Sequence, residues 1–395
     1  MATAQDQRTW PRKEVLSPIP SELLPDTDNP DLLEINIGPN HPSTHGVLRL
    51  VTTLDGELVV GLRPVIGYVH TGIEKNIEQK TYWKAITYVP RMDYLSFFNG
   101  ETAFCMAVEK ALDLEVPRRG EWIRVLFQEL NRIHSHLIFL GTGSVDLGGI
   151  ALLFYCFRDR DYVLDLFEMV TGQRMHPRYC QVGGVAEDLP RGFERECRTF
   201  IKRLRRSIDE YDGLIAANPI WRERTEGVGV CPPDFAIRMG LSGPNLRASG
   251  VPYDLRRSEP YSIYPDLEFD VAVREHGDIF DRYLVRIDEM RESIRILKQV
   301  LRLLDDTKGQ PFFAGRGGYN VRVPAGESYG RVENPKGELG YYVVSDGGQN
   351  PWRYHVRAPS FINLTALEKM CIGNKVADVV AILGSIDIVL GELDR

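Results

Sequence analysis

The sequence predicts an α+β protein in which a bundle of long helices forms the core and small antiparallel β-elements lie near both ends. Apolar residues recur at steps of three and four over long central stretches, as on the buried face of a helix. Short runs rich in strand-forming residues precede and follow these stretches. The chain has 395 residues, 43% of them hydrophobic, which is enough for one large or two ordinary domains.

The N-terminal part is predicted to be an arm followed by a β-region. Residues 1–32 form the arm, because the first thirty residues contain five prolines and mixed charges and cannot bury a core of their own. Strands are expected at 33–37, 47–54 and 58–62, with Asp55-Gly56 suited to a tight hairpin turn. This β-region extends to residue 66.

Four long amphipathic helices are expected within a bundle that spans residues 90–305. The first ends at Gly141, and the second runs from about Leu147 to a stop at Gly172. The other two cover 193–215 and 278–304, and the last carries a heptad-like apolar seam. A C-terminal β/α part over 310–395 follows, with strands at 320–323, 339–344 and 354–357 and a final helix near 375–383.

Composition and charge exclude several classes of function. The net charge of −7 and the spread of 37 arginines along the chain argue against nucleic-acid binding, and the excess of Arg over 11 Lys indicates protein contacts. The six cysteines form no Cys-x-x-Cys pair, so no iron–sulfur cluster is expected in this chain alone. No stretch is suited to crossing a membrane, and the lack of an apolar N-terminal segment favours a cytoplasmic location.

Two histidines in the loop GPNHPSTHGVLR (38–49) are candidates for chemistry. His41 and His45 have the residue type that ligates metals or transfers protons near neutral pH. An alternative that remains open is a turn in which both histidines hydrogen-bond backbone carbonyls. Pro42 is expected to prevent the helical turn that would place both on one face, which weakens the case for a metal site.

Three further residues have both a functional and a structural interpretation. Asp146, in an apolar stretch, is either paired and used or the N-cap of the following helix. Tyr94 either points its hydroxyl into a pocket or packs with the hydroxyl in water. His176 is either functional or a C-terminal helix cap. His134 and His136, two apart on a helix, point to different faces.

Several segments from about residue 33 to the C-terminus closely resemble one known family, the quinone-site (D-type) subunits of NADH-quinone oxidoreductase, respiratory complex I. They include GPNHPSTHGVLRL (38–50), GYVHTGIEKNIE (67–78), PRMDYLS (90–96), TGQRMHPRY (171–179) and PKGELGYYVVSDGG (335–348). That family is also similar to the large subunit of nickel–iron hydrogenases, which implies a helical bundle with peripheral β-structure. The hydrogenase pattern has thiolates where this chain has Asp93, Ser96, Val389 and Glu392, so a nickel–iron centre is not expected.

The resemblance implies a quinone headgroup pocket in place of the metal. His45 and Tyr94 match the pair that hydrogen-bonds the headgroup, and Asp146 matches the acid that orients the histidine. Reduction to quinol consumes two protons, which an imidazole and a phenol can donate. The residues matched to pocket-lining or supporting positions are His41, Thr142, His136 and Val389. Arg91 and His176 match positions near the terminal iron–sulfur cluster of a neighbouring subunit.

The resemblance also implies partners and a location. The expected partners are the iron–sulfur subunit, a C-like protein of the 30 kDa type, the membrane-arm subunit of the quinone channel, and membrane quinone. The complex is expected to be a proton-translocating NADH:quinone oxidoreductase, with this chain peripheral on the cytoplasmic face of a bacterial inner membrane. A hydrogenase-type enzyme and a non-catalytic scaffold of the peripheral arm are the alternatives.

Two departures from the family pattern stand out. Thr71 occupies a position where related chains often have Arg. The segment 305–324 is shorter than in many relatives.

Overall fold

A three-stranded antiparallel sheet forms the N-terminal edge of the fold. The computed structural model describes residues 31–315, 318 and 320–395, so the predicted arm lies outside the described residues except for its last two. The strands β1 (Leu33–Ile37), β2 (Arg49–Asp55) and β3 (Leu58–Val65) pair in that order. A tight turn joins β2 and β3 as predicted, but its two residues are Gly56, with a positive φ, and Glu57, whereas Asp55 ends β2.

Long helices form the centre of the fold, as the apolar periodicity predicts. The helix α4 (Arg118–Asp146) packs against both α5 (Ile150–Thr171) and α11 (Ile279–Asp306), while α6 (Phe193–Ile215) packs against α5 and α11. The helices up to this point in the chain are α1 (Ile73–Glu78), α2 (Tyr82–Ala85), α3 (Phe97–Leu112), α4 (Arg118–Asp146), α5 (Ile150–Thr171), α6 (Phe193–Ile215), α7 (Pro219–Thr225), α8 (Pro233–Arg238), α9 (Pro244–Ala248), α10 (Leu255–Ser258) and α11 (Ile279–Asp306). A two-stranded sheet of β4 (Cys180–Gln181) and β5 (Gly184–Val185) lies between α5 and α6 in the chain.

The prediction that the first long helix ends at Gly141 is wrong, because α4 continues to Asp146. Gly141 is a packing residue: a Cβ there would lie 3.2 Å from Leu153 Cδ1 and 3.4 Å from Cys156 Cβ on α5. The glycine therefore allows two helices to approach closely and does not stop one of them. The N-cap interpretation of Asp146 is also wrong, since Gly149 precedes α5 as its N-cap.

A second three-stranded antiparallel sheet and four short helices form the C-terminal part. The strands β6 (Gly326–Asn334), β7 (Gly337–Ser345) and β8 (Arg353–Arg357) pair in that order. The helices are α12 (Pro359–Leu364), α13 (Leu367–Cys371), α14 (Val376–Ile386) and α15 (Leu390–Asp394). The predicted α+β class, with long helices and small antiparallel sheets near both ends, is confirmed.

The strand predicted at 320–323 does not form. Val323 donates its N–H to Gly348 O at 3.2 Å, but Pro324 follows and has no N–H to continue a ladder. The strand of this region is β6, whose sequence GESYGRVEN is rich in residues of low strand propensity. Its formation depends on pairing with β7 and on packing against α3, where Gly330 lies so close that a Cβ would be 2.4 Å from Ala107 N.

A buried ionic cluster joins α4, α9, α10, α11 and β6. Arg247 is fully buried and contacts Glu289 at 2.6 Å and Glu333 at 2.7 Å. Arg256 contacts Glu129 at 3.0 Å and Asp254 at 2.7 Å. Burial alone would raise the pKa of Glu289, but the cations beside it, Arg247 first among them, hold that pKa well below its ordinary value. We call this set of residues the central ionic cluster; its members are Glu129, Arg132, His136, Arg247, Asp254, Arg256, Glu289 and Glu333.

In the described part of the chain, no helix is long and apolar enough to cross a membrane.

We expect Arg247→Met to destabilise the fold by about 3–5 kcal/mol, because it leaves Glu289 and Glu333 buried without their shared cation. Urea unfolding of the purified chain measures this change. Arg238→Met is the matched control, since Arg238 pairs with Asp234 at the surface and its loss costs less than about 1 kcal/mol. Equal losses in the two variants would contradict the importance of the cluster.

Candidate functional site

The loop between β1 and β2 is a compact turn that carries both candidate histidines. Residues Pro42–Thr44 form a single 3-10 turn, with His41 as its N-cap and His45, at φ 59°, after its end. Pro42 opens this short turn, where its missing N–H has no partner to lose. His41 is extended and His45 is left-handed, so no α-helical turn places the two histidines on one face. His41 Nδ1 accepts a hydrogen bond from Ser43 N at 3.2 Å, so it is used locally.

The last turn of α4 faces this loop. Ser43 Oγ donates a hydrogen bond of 2.7 Å to Asp146 Oδ1, which links the loop to the end of the helix. Burial raises the pKa of Asp146, and the Ser43 hydrogen bond and the two histidines oppose the increase. The extension of α4 beyond Gly141 is what brings Asp146 to this position.

The surroundings of His45 lower its pKa. The side chain reaches solvent at the mouth of a cavity, yet the protein around it removes much of its hydration, and this desolvation lowers its pKa. The Asp146 carboxylate favours the charged imidazolium and opposes that decrease, whereas the Lys336 ammonium adds to it. His45 is thus a titratable group placed between a carboxylate and a cation.

A cavity of about 260 Å³ opens beside this pair. Its polar lining comes from His45, Asp146, Thr142 and Asp387. The apolar lining includes Phe139, Val145, Leu153, Leu383 and Ile388. A mostly apolar wall with a few convergent polar groups is typical of a small-molecule site.

Tyr94 lies in the turn before α3 and does not line this cavity. Its ring packs at Gly391 of α15, where a Cβ would lie 3.3 Å from Tyr94 Cε1. The turn is held by Asp93, which accepts hydrogen bonds from the backbone N–H groups of Leu95 and Ser96, both at 3.1 Å. Burial and then the Asp93 charge raise the pKa of Tyr94, so the phenol is protonated at neutral pH and able to donate.

The remaining predicted lining residues occupy different places. Val389 is buried as the N-cap of α15, and its N–H donates to Ser360 Oγ at 3.0 Å. His136 is buried in the central ionic cluster, with Nε2 2.8 Å from Glu289 Oε2, and does not line the cavity. His134 contacts Leu95 O and Arg160 instead, so the two histidines point to different partners, as expected from their spacing.

Arg91 and His176 lie close to each other at the protein surface. His176 Nδ1 is 3.0 Å from Pro90 O, next to Arg91 in the chain, and Arg91 is exposed. The interpretation of His176 as a helix cap is wrong, because α5 ends with Gly172 in the left-handed conformation and His176 lies four residues beyond it.

Two polar residues near the cavity were missed from the sequence. Asp387 lines the cavity, and Lys336 lies between Asp387 and Asp93, at 3.9 Å and 3.7 Å from their carboxylate oxygens. A lysine in a Pro-Lys-Gly turn predicts an exposed hairpin tip, and only the tertiary packing buries it. No local signal in the sequence distinguishes it from a surface lysine.

The fold and site define a helical-bundle protein with a small-molecule cavity at the end of α4. A family profile described as "Respiratory-chain NADH dehydrogenase, 49 Kd subunit" matches residues 146–316 and 312–395. The chain is 49% identical over 408 residues to NADH-quinone oxidoreductase subunit 4 of Thermus thermophilus, covering 97% of this chain and 100% of that protein. It is 45% identical to the corresponding NADH-quinone oxidoreductase subunit of Deinococcus radiodurans, over 95% of this chain and 100% of the relative.

A third relative, the corresponding NADH-quinone oxidoreductase subunit of Chloroflexus aurantiacus, is 46% identical over 92% of this chain and 95% of its own length. The chain therefore belongs to the family of 49 kDa subunits of respiratory-chain NADH dehydrogenase.

We expect Asp146→Asn to lower the pKa of His45 further below its ordinary value, because the neutral amide no longer stabilises the imidazolium. NMR titration of the chain with labelled histidines measures the change, with the His45 signal assigned by substitution. Asp161→Asn, at an exposed position paired with Arg174, is the control and leaves the His45 titration unchanged. A rise in the His45 pKa in Asp146→Asn would contradict the electrostatic description of the pair.

Proposed function

We propose that this chain forms the quinone headgroup site of a respiratory NADH:quinone oxidoreductase and acts only as one subunit of that complex. The observation that carries the proposal is the cavity that joins His45 and Asp146 in a mostly apolar wall. The relatives are named as NADH-quinone oxidoreductase subunits, which supplies the substrate class. An apolar wall suits a quinone ring, and the polar groups suit its two oxygens.

The reaction at this site is the conversion of quinone, two electrons and two protons to quinol. His45 in its charged form donates one proton to a quinone oxygen, and the carboxylate of Asp146 favours that form. We assign the other proton to the phenol of Tyr94, whose raised pKa keeps the proton in place until the quinone is reduced. Because Tyr94 lies outside the cavity lining, this transfer requires the headgroup to extend from the cavity to the Tyr94 turn. Both groups are then reprotonated from solvent.

The electrons would come from an iron–sulfur cluster held by the neighbouring subunit. The residues of this chain fit a supporting position for it and not a ligating one, since all six cysteines are buried inside the described fold. Arg91 and His176 provide a cation and an imidazole at one surface patch, where contacts with the ligands of a partner's cluster tune its potential.

The assembly requires an apolar contact surface beside the cavity. Ile150 and Phe154 on the first turns of α5 are 59% and 67% exposed, and Val145 at the cavity rim is 41% exposed. Exposed apolar groups that adjoin a ligand cavity favour coverage by a partner. We propose that the partners around this site are the iron–sulfur subunit, the 30 kDa-type subunit and the membrane-arm quinone-channel subunit. We place the assembly at the cytoplasmic face of a bacterial membrane.

Coupling to proton pumping is proposed to begin at the same pair. When His45 gives up its proton, Asp146 loses the cation that faces it in the cavity. A partly buried carboxylate that has lost the cation facing it favours rearrangement of the elements that hold it. Here those elements are the end of α4 and the loop that carries Ser43.

We expect Tyr94→Phe and Asp146→Asn each to reduce quinone reductase activity of membranes at least tenfold, because each change removes a proton donor or the charge that maintains one. NADH oxidation with an artificial electron acceptor, measured in the same membranes, is expected to persist. Tyr342→Phe is a matched control, since the Tyr342 hydroxyl is exposed and contacts Glu327.

Normal quinone turnover in both Tyr94→Phe and Asp146→Asn, in assembled complexes, would make the chain a scaffold. Parallel loss of quinone and artificial-acceptor activity would indicate an assembly defect, which native gel electrophoresis detects.

A further inference from the structure

The tip of the β6–β7 hairpin is buried in the protein. Gly337 and Gly243 pack so closely that a Cβ on Gly243 would lie 2.5 Å from Gly337 Cα. Both residues have positive φ, so glycine is needed at each for conformation as well as for space. The tip is fixed further by Asn363, whose side-chain amide donates to Lys336 O at 3.0 Å. The hairpin therefore inserts its turn lysine into the interior instead of exposing it.

The ammonium of Lys336 is fully buried and has three polar neighbours. Its Nζ donates a hydrogen bond of 2.7 Å to Ser135 Oγ on α4. It lies 3.7 Å from Asp93 Oδ1 and 3.9 Å from Asp387 Oδ2. Buried lysines are uncommon because the long side chain normally places its charge in water.

These neighbours connect two separate parts of the proposed site. Asp93 precedes Tyr94 and holds its turn through the N–H groups of Leu95 and Ser96. Asp387 lines the cavity that contains His45 and Asp146. Lys336 thus contacts both the Tyr94 turn and the His45 cavity. Arg286 of α11 is a second buried cation, 3.8 Å from Asp387 Oδ2, and it opposes the charge on Lys336.

The charge on Lys336 is maintained by its surroundings. Burial alone would lower the pKa of Lys336, but Asp387, Asp93 and Glu392 together raise it above its ordinary value. The buried Glu392 carboxyl has its own pKa raised to about 8, by burial first and by Asp93 next, so it adds little negative charge at neutral pH. A permanent positive charge therefore remains between the two parts of the site.

We propose that Lys336 is a positioning residue for quinone reduction, which holds the Tyr94 turn against the His45 cavity and sets how readily the two donors release their protons. This inference rests on the proposed function. Lys336 acts through Asp93 and Asp387 and is not placed against the quinone itself.

The charge of Lys336 changes the pKa values of His45 and Tyr94 in a definite direction. The groups that act on His45 are Asp146, which favours its charged form, and Lys336, which opposes it. Those that act on Tyr94 are Asp93 and Glu392, which favour the neutral phenol, and Lys336, which favours release of its proton. Removing the lysine charge therefore raises the pKa of His45, and the donor form of His45 persists to higher pH.

The test uses the assembled complex in membranes carrying Lys336→Met, with Lys336→Gln as a second neutral variant and Lys336→Arg as the variant that keeps the charge. The alkaline limb of kcat/KM for a short-chain ubiquinone analogue is measured against pH. We expect both neutral variants to move this limb upward in pH, and Lys336→Arg to leave it near its original position. Asp146→Asn is expected to move it downward in the same assay.

An unchanged alkaline limb in the neutral variants, with artificial-acceptor activity intact, would overturn the inference while leaving the proposed function untouched. Normal quinone turnover in Asp146→Asn would instead overturn the proposed function. If neither neutral variant assembles and Lys336→Arg does, Lys336 is a folding residue only and the inference is likewise overturned.

Discussion

The need to pair buried charges constrains the rest of this structure. Arg247 joins α11 to β6 through Glu289 and Glu333, and neither helix nor strand can shift along the other without leaving a charge unpaired in the interior. The register of β6 fixes where its hairpin ends, and the hairpin end carries Lys336 into contact with Asp93 and Asp387. The position of the cation in the candidate site thus follows from ion pairs in the bundle.

In the candidate site, this arrangement sets two opposite electrostatic effects on one side chain. A carboxylate on the last turn of α4 and a cation from the hairpin act with opposite signs on one imidazole. Burial acts on both His45 and Tyr94 in favour of their neutral forms. Because these effects on the pKa of His45 oppose one another, the imidazole changes its charge when a substrate binds or a neighbouring charge changes. A proton donor requires this property.

The long helices and most strands could be predicted from the sequence, because a buried face leaves a period in the chain. The prediction at Gly141 is wrong because glycine has a local preference for ending a helix, whereas here its contact with α5 decides the outcome. His45 and Asp146 could be proposed from residue type and family resemblance. Lys336 could not, since the burial of a hairpin tip depends on partners that are distant in sequence.

The most direct test of the central claim is photolabelling of the assembled complex with a short-chain quinone that carries a photoreactive group on its ring, followed by mass spectrometry of this chain. We predict labelling, suppressed by unlabelled quinone, in peptides that contain residues 42–45, 139–146 or 383–388, which line the cavity. Labelling confined to the separate polar cleft beside Trp352, or to other subunits alone, would contradict the assignment of the quinone site to this cavity.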